Sequence, residues 1–279
     1  MKCERGQVMV IVALAMTAML AMSALVLDGG YAYLQRRRMQ NAADAGALAG
    51  ARELCSEEGN PEATAVDYAQ RNRAEDVDED DVDIDGNTVT VTAHTTFDTF
   101  FAGVIGVPEM SISAEAKASC QPAKSTTGLR PIAVEEKDYD FGTEYTIWHS
   151  EPITDSQRGW LDFDGGGGGA FQLRDWVTNG YGDEISIDDE VEGEPGEKTS
   201  VLQEVEDLIG KTVVCGAYDQ MHKEHGKWYY HISFFVAFEI TDVKSTGSPK
   251  WIKGKCKPLV VNGEWGGPDH GVRVVKLTR

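Results

Sequence analysis

The chain has 279 residues, 41% of them hydrophobic, with six Trp. That is enough apolar material for two packed domains, and it excludes disorder throughout. The formal net charge of −20 excludes the basic footprint of a nucleic-acid binder.

Val8 to Leu27 is a run of twenty residues without a charge, in which only Thr17 and Ser23 are polar. A helix of that length rises about 30 Å, the hydrocarbon thickness of a bilayer. Apolar on every face, it is read as a retained transmembrane anchor. A cleaved signal peptide is the competing reading, because Lys2 and Arg5 supply a basic start and Ala21-Met22-Ser23 offers small residues to a peptidase. The run continues to Leu27, however, and helical sequence resumes at once. Basic residues flank it on both sides, Lys2 and Arg5 before it and Arg36 to Arg38 after it, so the positive-inside count is divided. Cysteine usage orients the chain. Cys3, expected free, lies on the short side, and the four on the long side suit two disulfides in an oxidising compartment. The expectation is a single-pass protein of the cytoplasmic membrane. Residues 1–34 form a cytoplasmic stub and the span, and the C-terminal bulk is extracytoplasmic.

Past a bend expected at Asp28-Gly29-Gly30 the helix continues to Leu54. Eight of the ten residues from Ala42 to Ala51 are Ala or Gly. Gly46 and Gly50 make a GxxxG pair and Ala42 extends that face by one turn, which lets a second backbone approach closely. Two partners stay open for this helix-packing interface: the chain's own first domain, or copies and related subunits.

The segment RGQVMVIVALAMTAMLAMSALVLDGGYAYLQRRRMQNAADAGALAGA, Arg5 to Ala51, resembles the N-terminal part of the TadE/TadG-like Flp (tight adherence) pilus-assembly proteins. The matching pieces are Arg5-Gly6 before the span, Asp28 after it, Tyr33-Leu34 with the arginines, and above all MQNAADAGALAGA. The resemblance implies a membrane-anchored component of Flp pilus assembly, and the chain's length fits the TadG-like branch. Its partners would be other pilus-assembly or pilin subunits, met through the N-terminal helix, and the lipid bilayer. A prepilin-peptidase site cutting after Gly6 would want Glu five residues on, where this chain has Ile11.

Residues 35–120 are expected to form a small α+β domain. Between Glu57 and Gly86 twelve acids face only Arg71 and Arg73, the composition of a solvated, repelling surface. Asp81, Asp83, Asp85 and Gly86 imitate the start of a calcium loop, but its twelfth position is Thr92 and the motif fails. Asn60-Pro61 opens a helix to about Arg73. A hairpin follows, Val82 to Ile84 and Thr88 to His94, turning at Asp85-Gly86. Phe97, Phe100, Phe101, Val104 and Ile105 stand at helical spacing and are expected in the core. Met110 to Ala118 alternates as a third strand. Cys55 ends the long helix and Cys120 the last strand, so a disulfide between them would pin helix to sheet.

Gln121 to Gly128 is read as a linker (121–128), and 129–279 as a larger, strand-rich, mixed α/β domain. Its expected strands are Arg130 to Val134, Glu144 to Trp148, Gly159 to Phe163, Glu184 to Ile187, Lys211 to Tyr218, Trp228 to Ile240 and Trp251 to Val261. Its helices are Phe171 to Asn179 and Ser200 to Ile209, the latter with a Ser200/Gln203 capping box. The fold class is thus α+β, led by a transmembrane helix. Cys215 and Cys256 are candidates for a second bridge, with the pairing left open.

Three motifs here imitate enzymes. Gly165, Gly167 and Ala170 fit a dinucleotide fingerprint, but five consecutive glycines satisfy any glycine pattern and no regular βαβ succession follows. The Gly210-Lys211-Thr212 triplet lacks the earlier P-loop glycine, Val205 standing there. His222 and His225, in a polar connection from Asp219 to Lys227, lack a third ligand at a useful spacing. The reading is a non-enzymatic assembly component without metal or cofactor. Its rivals are an anchored extracytoplasmic adhesin or ligand-binding module and, further off, a hydrolase or metal enzyme using these histidines or the Asp162/Asp164 pair.

Overall fold

The computed structural model describes residues 5–57, 59–150, 159–167, 169–194 and 196–278. Cys3 lies outside them. Two compact units are present, one of Met1–Glu53, Gly59–Ser119 and Leu277–Arg279, the other of Leu54–Glu58 and Cys120–Lys276.

Helix α1 (Arg5–Ser56) runs through Asp28-Gly29-Gly30 without interruption, about 78 Å by its rise per residue. Its apolar first part is unpacked, with Met9 and Leu25 each 75% exposed. From Asp28 onward one stripe is buried: Asp28, Gln35, Met39, Ala42, Ala43, Gly46, Ala47, Gly50 and Ala51. Steps of one, three, four and seven residues keep these on one helix face.

That stripe packs on α2 (Pro61–Arg71) and on a meander of β1 (Val82–Asp85), β2 (Thr88–Asp98) and β3 (Glu109–Pro122). Asn60 caps α2, its Oδ1 accepting the amides of Glu62 at 3.0 Å and Ala63 at 3.2 Å. Pro61 at the first helical position gives up an amide that would have had no partner. The β1–β2 turn falls on Gly86-Asn87, one residue later than expected, with Asp85 paired to Thr88. Val89, Val91 and Ala93 of β2 stand opposite Ala118, Ala116 and Ala114 of β3, all buried. With such short side chains, packing is achieved by bringing backbones together.

The phenylalanine segment departs from expectation. Strand β2 carries on through Phe97, and only Ala102–Ile105 coils, as a single 3-10 turn. Phe100 is 65% exposed, Phe101 43% and Val104 88%. Helical spacing of apolar residues is a core signal only where another layer lies opposite, and the β2–β3 connection projects past the end of its sheet.

In the second unit the main sheet has seven strands. Its path runs β5 (Ala133–Glu135), β10 (Thr212–Glu224), β11 (Lys227–Lys244), β12 (Trp251–Cys256), β6 (Glu144–His149). Strand β9 (Glu190–Glu194) lies beside the start of β11, and β7 (Trp160–Asp162) beside β9. Helices α3 (Gly169–Asn179) and α4 (Thr199–Glu206) supply Leu173, Trp176, Val177, Val201, Leu202 and Val205 to one core, with Phe234, Val236 and Phe238 of β11. A second core holds Tyr230, Ile232, Phe235 and Ala237 of β11 with Val272 and Val274. The latter two lie on β14 (Val272–Thr278), which runs parallel to β13 (Leu259–Val261). Buried on both sides, β11 reads as a nearly continuous apolar run. The segment from Gln121 to Gly128 carries β4 (Ser125–Thr126), both residues buried and paired with β8 (Ile185–Ser186).

Two local expectations are corrected. Helix α4 starts earlier, with Lys198 at its N-cap and no side-chain cap, so Ser200 lies inside the first turn. Cys215 and Cys256 are both free and buried. They sit on β10 and β12 with β11 between them, Cys215 opposite Val236 and Cys256 opposite Phe238. Two strand spacings make about 9.6 Å, beyond the roughly 7 Å that a disulfide bridges.

Candidate functional site

The site of interest is α1 and what clasps it. A Cβ on Gly46 would lie 2.8 Å from the carbonyl oxygen of Ala65 and 3.2 Å from the Cβ of Ala69. On Gly50 it would lie 3.0 Å from both the Cβ of Ala65 and the carbonyl oxygen of Pro61. Ala42 is fully buried on the same face. The close backbone approach that this face permits is therefore made inside the first unit, against α2 and β2. The exposed flank of α1 is different, presenting Tyr33 (66% exposed), Leu34 and Leu48 with Arg36 and Arg37.

Asp28 entered the sequence reading as part of an expected bend and of the family resemblance, without a contact of its own. It is the first residue after the apolar run and is buried. Its carboxylate accepts the amides of Phe100 (2.7 Å), Phe101 (3.0 Å) and Ala102 (2.7 Å). The three amides replace the water that this buried carboxylate has lost. Tyr31, one turn on, packs edge-to-face against Phe97 at 4.9 Å and Phe100 at 5.4 Å. The available signal was an acid placed directly after a membrane-length run, where an unpaired charge is costly.

At the other end of α1, Cys55 and Cys120 form a disulfide, Cα atoms 5.8 Å apart. Arg273 reinforces this end, donating to the carbonyl oxygen of Cys55 at 3.1 Å and to Glu57 at 2.8 Å. Asp269 holds the same guanidinium from the opposite side at 3.1 Å.

The enzyme-like motifs acquire ordinary roles. Gly165, Gly167 and Gly169 all have positive φ, and the amide of Gly167 is held by Asp162 at 2.9 Å. The glycines form a tight turn between β7 and α3. Strands β10 and β11 extend through the expected polar connection, which shrinks to a His225-Gly226 turn with φ of 48° and 88°. Two positive φ values suit a two-residue hairpin turn. His222 lies 3.7 Å from Glu190, and His225 is exposed. Among the described residues no three His, Cys, Asp or Glu are grouped to hold a metal ion.

One helix of the described residues, the segment from Val8 in α1, is long and apolar enough to cross a membrane, and its apolar window is entirely unburied. Comparison with known proteins matches residues 6–53 to the Tad family model, described as "Putative Flp pilus-assembly TadE/G-like". No curated protein and no solved structure matches. The match begins just before the apolar run and ends two residues short of the disulfide, spanning the whole length of α1 that the fold leaves bare and then clasps. Over residues 6–53, then, this chain is similar to the family described as putative TadE/G-like Flp pilus-assembly proteins.

Proposed function

We propose that this protein is a membrane-anchored component of Flp pilus assembly that acts through subunit contact rather than catalysis. In this reading α1 crosses the cytoplasmic membrane once, through Val8 to Leu27, and the parts of both units beyond that span lie outside the cytoplasm. The observation that carries it is the coincidence of the family match with α1. That helix offers twenty uncharged residues that the fold does not cover, and a bilayer supplies the missing cover. The Cys55–Cys120 disulfide supports an oxidising compartment for the bulk.

Because Ala42, Gly46 and Gly50 are occupied within the first unit, contact with other subunits falls to the exposed flank of α1. Leu34 and Leu48 stand two heptads apart there, on nearly one line of the helix. Photo-crosslinking amino acids placed at these two positions in piliated cells should capture a pilus subunit, while the same probe at exposed Asp83 should not. Crosslinks from Asp83 alone, or none from the helix flank, would contradict subunit contact through α1.

A further inference from the structure

Residues 99–108 form a ten-residue connection, TFFAGVIGVP, with no charge, in a chain of net charge −20. It exposes four large apolar side chains together, Phe100, Phe101, Val104 and Val107, whereas Tyr68 and Leu277 are exposed singly elsewhere in the first unit. Its position follows from the run of β2 along α1. Gly50 faces Val89, Gly46 faces Val91, Tyr31 meets Phe97, and Asp28 holds Phe100 to Ala102. Strand and helix are antiparallel in step: Gly50 to Tyr31 rises about 28 Å along the helix, and Val89 to Phe97 about 26 Å along the strand. The tip of the connection therefore comes level with the end of the apolar run at Leu27.

Its backbone is equipped to leave water. The amides of Phe100, Phe101 and Ala102 go to Asp28. Those of Thr99, Val104, Gly106 and Val107 go to the carbonyl oxygens of Pro108, Phe101, Gly103 and Ala102. The Thr99 hydroxyl donates to the carbonyl of Val107 at 2.6 Å. An irregular loop ordinarily leaves such groups to water, and burying them unpaired is what keeps loops out of lipid. Here seven of the nine amides from Thr99 to Val107 are satisfied within the protein, while Phe100, Phe101, Val104 and Val107 are exposed. Exposed apolar patches of this kind mark interaction surfaces, and this one is continuous with the bare span of α1.

We propose that the 99–108 connection is a second membrane element, an apolar tip seated in the headgroup–acyl boundary beside α1. Its occupant is the outer face of the same bilayer. Clasped at Asp28, the tip and the span meet the membrane as one body, which fixes the rotation of α1 about its axis and the direction in which its exposed flank faces. The inference rests on α1 spanning the bilayer.

The test uses the full chain carrying Cys3→Ser, reconstituted into phosphatidylcholine–phosphatidylglycerol vesicles, with an NBD fluorophore on one introduced cysteine. The sites are Val104→Cys, Leu14→Cys within the span and Asn87→Cys in the exposed β1–β2 turn. Seated about 5–10 Å deep, the probe at position 104 should lose roughly twofold of its emission to lipids spin-labelled near the headgroup, and less to lipids labelled near the chain end. The probe at position 87 should respond only to aqueous iodide. Iodide quenching at position 104 equal to that at 87 overturns the proposal. So does shielding from both quenchers, which would mean that protein covers the tip. Lipid quenching kept at position 14 and missing at 104 overturns this inference alone; its absence at position 14 overturns the anchor as well.

Discussion

The carboxylate of Asp28 holds the amide of Phe100 at 2.7 Å across 72 residues of sequence, tying the end of the apolar run to the tip of the β2–β3 connection. A single side chain there satisfies three amides that no strand or helix partner takes up. Asp28→Ala should leave those amides unpaired while the sheet register from Thr88 to Asp98 persists. Amide exchange at Phe100, Phe101 and Ala102 should quicken, with Val89 and Val91 unchanged. Uniform change, or none, would show that the clasp is not local.

The Ala/Gly stripe predicts a folding phenotype. Gly46→Leu drives a side chain into the carbonyl oxygen of Ala65 and should cost about 1–3 kcal/mol as overpacking. Leu48→Ala, on the exposed flank, should stay within about 0.5 kcal/mol. Denaturant melts of the full chain in detergent measure both. An unchanged midpoint for Gly46→Leu would mean that the stripe is free to serve another subunit.

The cysteines separate into two classes. Replacing the Cys55–Cys120 pair by serine reopens a loop of 65 residues, worth about 4 kcal/mol in the chain-entropy treatment. Cys215 and Cys256 are buried thiols whose pKa values are pushed up by that burial, to about 12 and about 11. Thiolate is the reactive form, so mass spectrometry after native alkylation should find both unmodified, and both modified after unfolding. Native alkylation at either would contradict their packing.

On the second unit, His231 on β11 meets Asp219 at 2.6 Å, and its pKa is raised chiefly by that hydrogen bond. Asp188 at 3.7 Å acts in the same direction. A raised folded pKa makes the stabilisation complete below the unfolded value of about 6.5 and lost as pH climbs through the folded value. The melting temperature should therefore fall between about pH 6 and pH 9 by more in the native chain than in His231→Gln. Parallel pH profiles would remove the pair from the account.

Features written in local chemistry were legible before the structure: the apolar run, the Asn60 cap, the β1–β2 hairpin and the bridge between two element ends. Those depending on what lies opposite were not. A small-residue face serves any neighbouring backbone, so Gly46 and Gly50 do not name their partner. The Phe100–Ile105 spacing looks like a core helix because periodicity is blind to whether the far side is protein or lipid. Pairing Cys215 with Cys256 required a strand order, and β11 stands between them. Strand β9, Glu-Val-Glu-Gly-Glu, hid behind acids and a glycine, although Val191 and Gly193 are buried in alternation. Val272 and Val274 of β14 did alternate inward, and that signal could have been taken.

The central claim, that this anchored chain serves Flp pilus assembly, is tested most directly by counting pili on cells from which it has been deleted. Two forms are returned: the full chain, and a form beginning at Arg36 exported behind a cleavable signal. The account predicts no pili after deletion, pili restored by the full chain, and none restored by the anchorless form although it is folded and abundant. Undiminished pili on the deleted cells would contradict it.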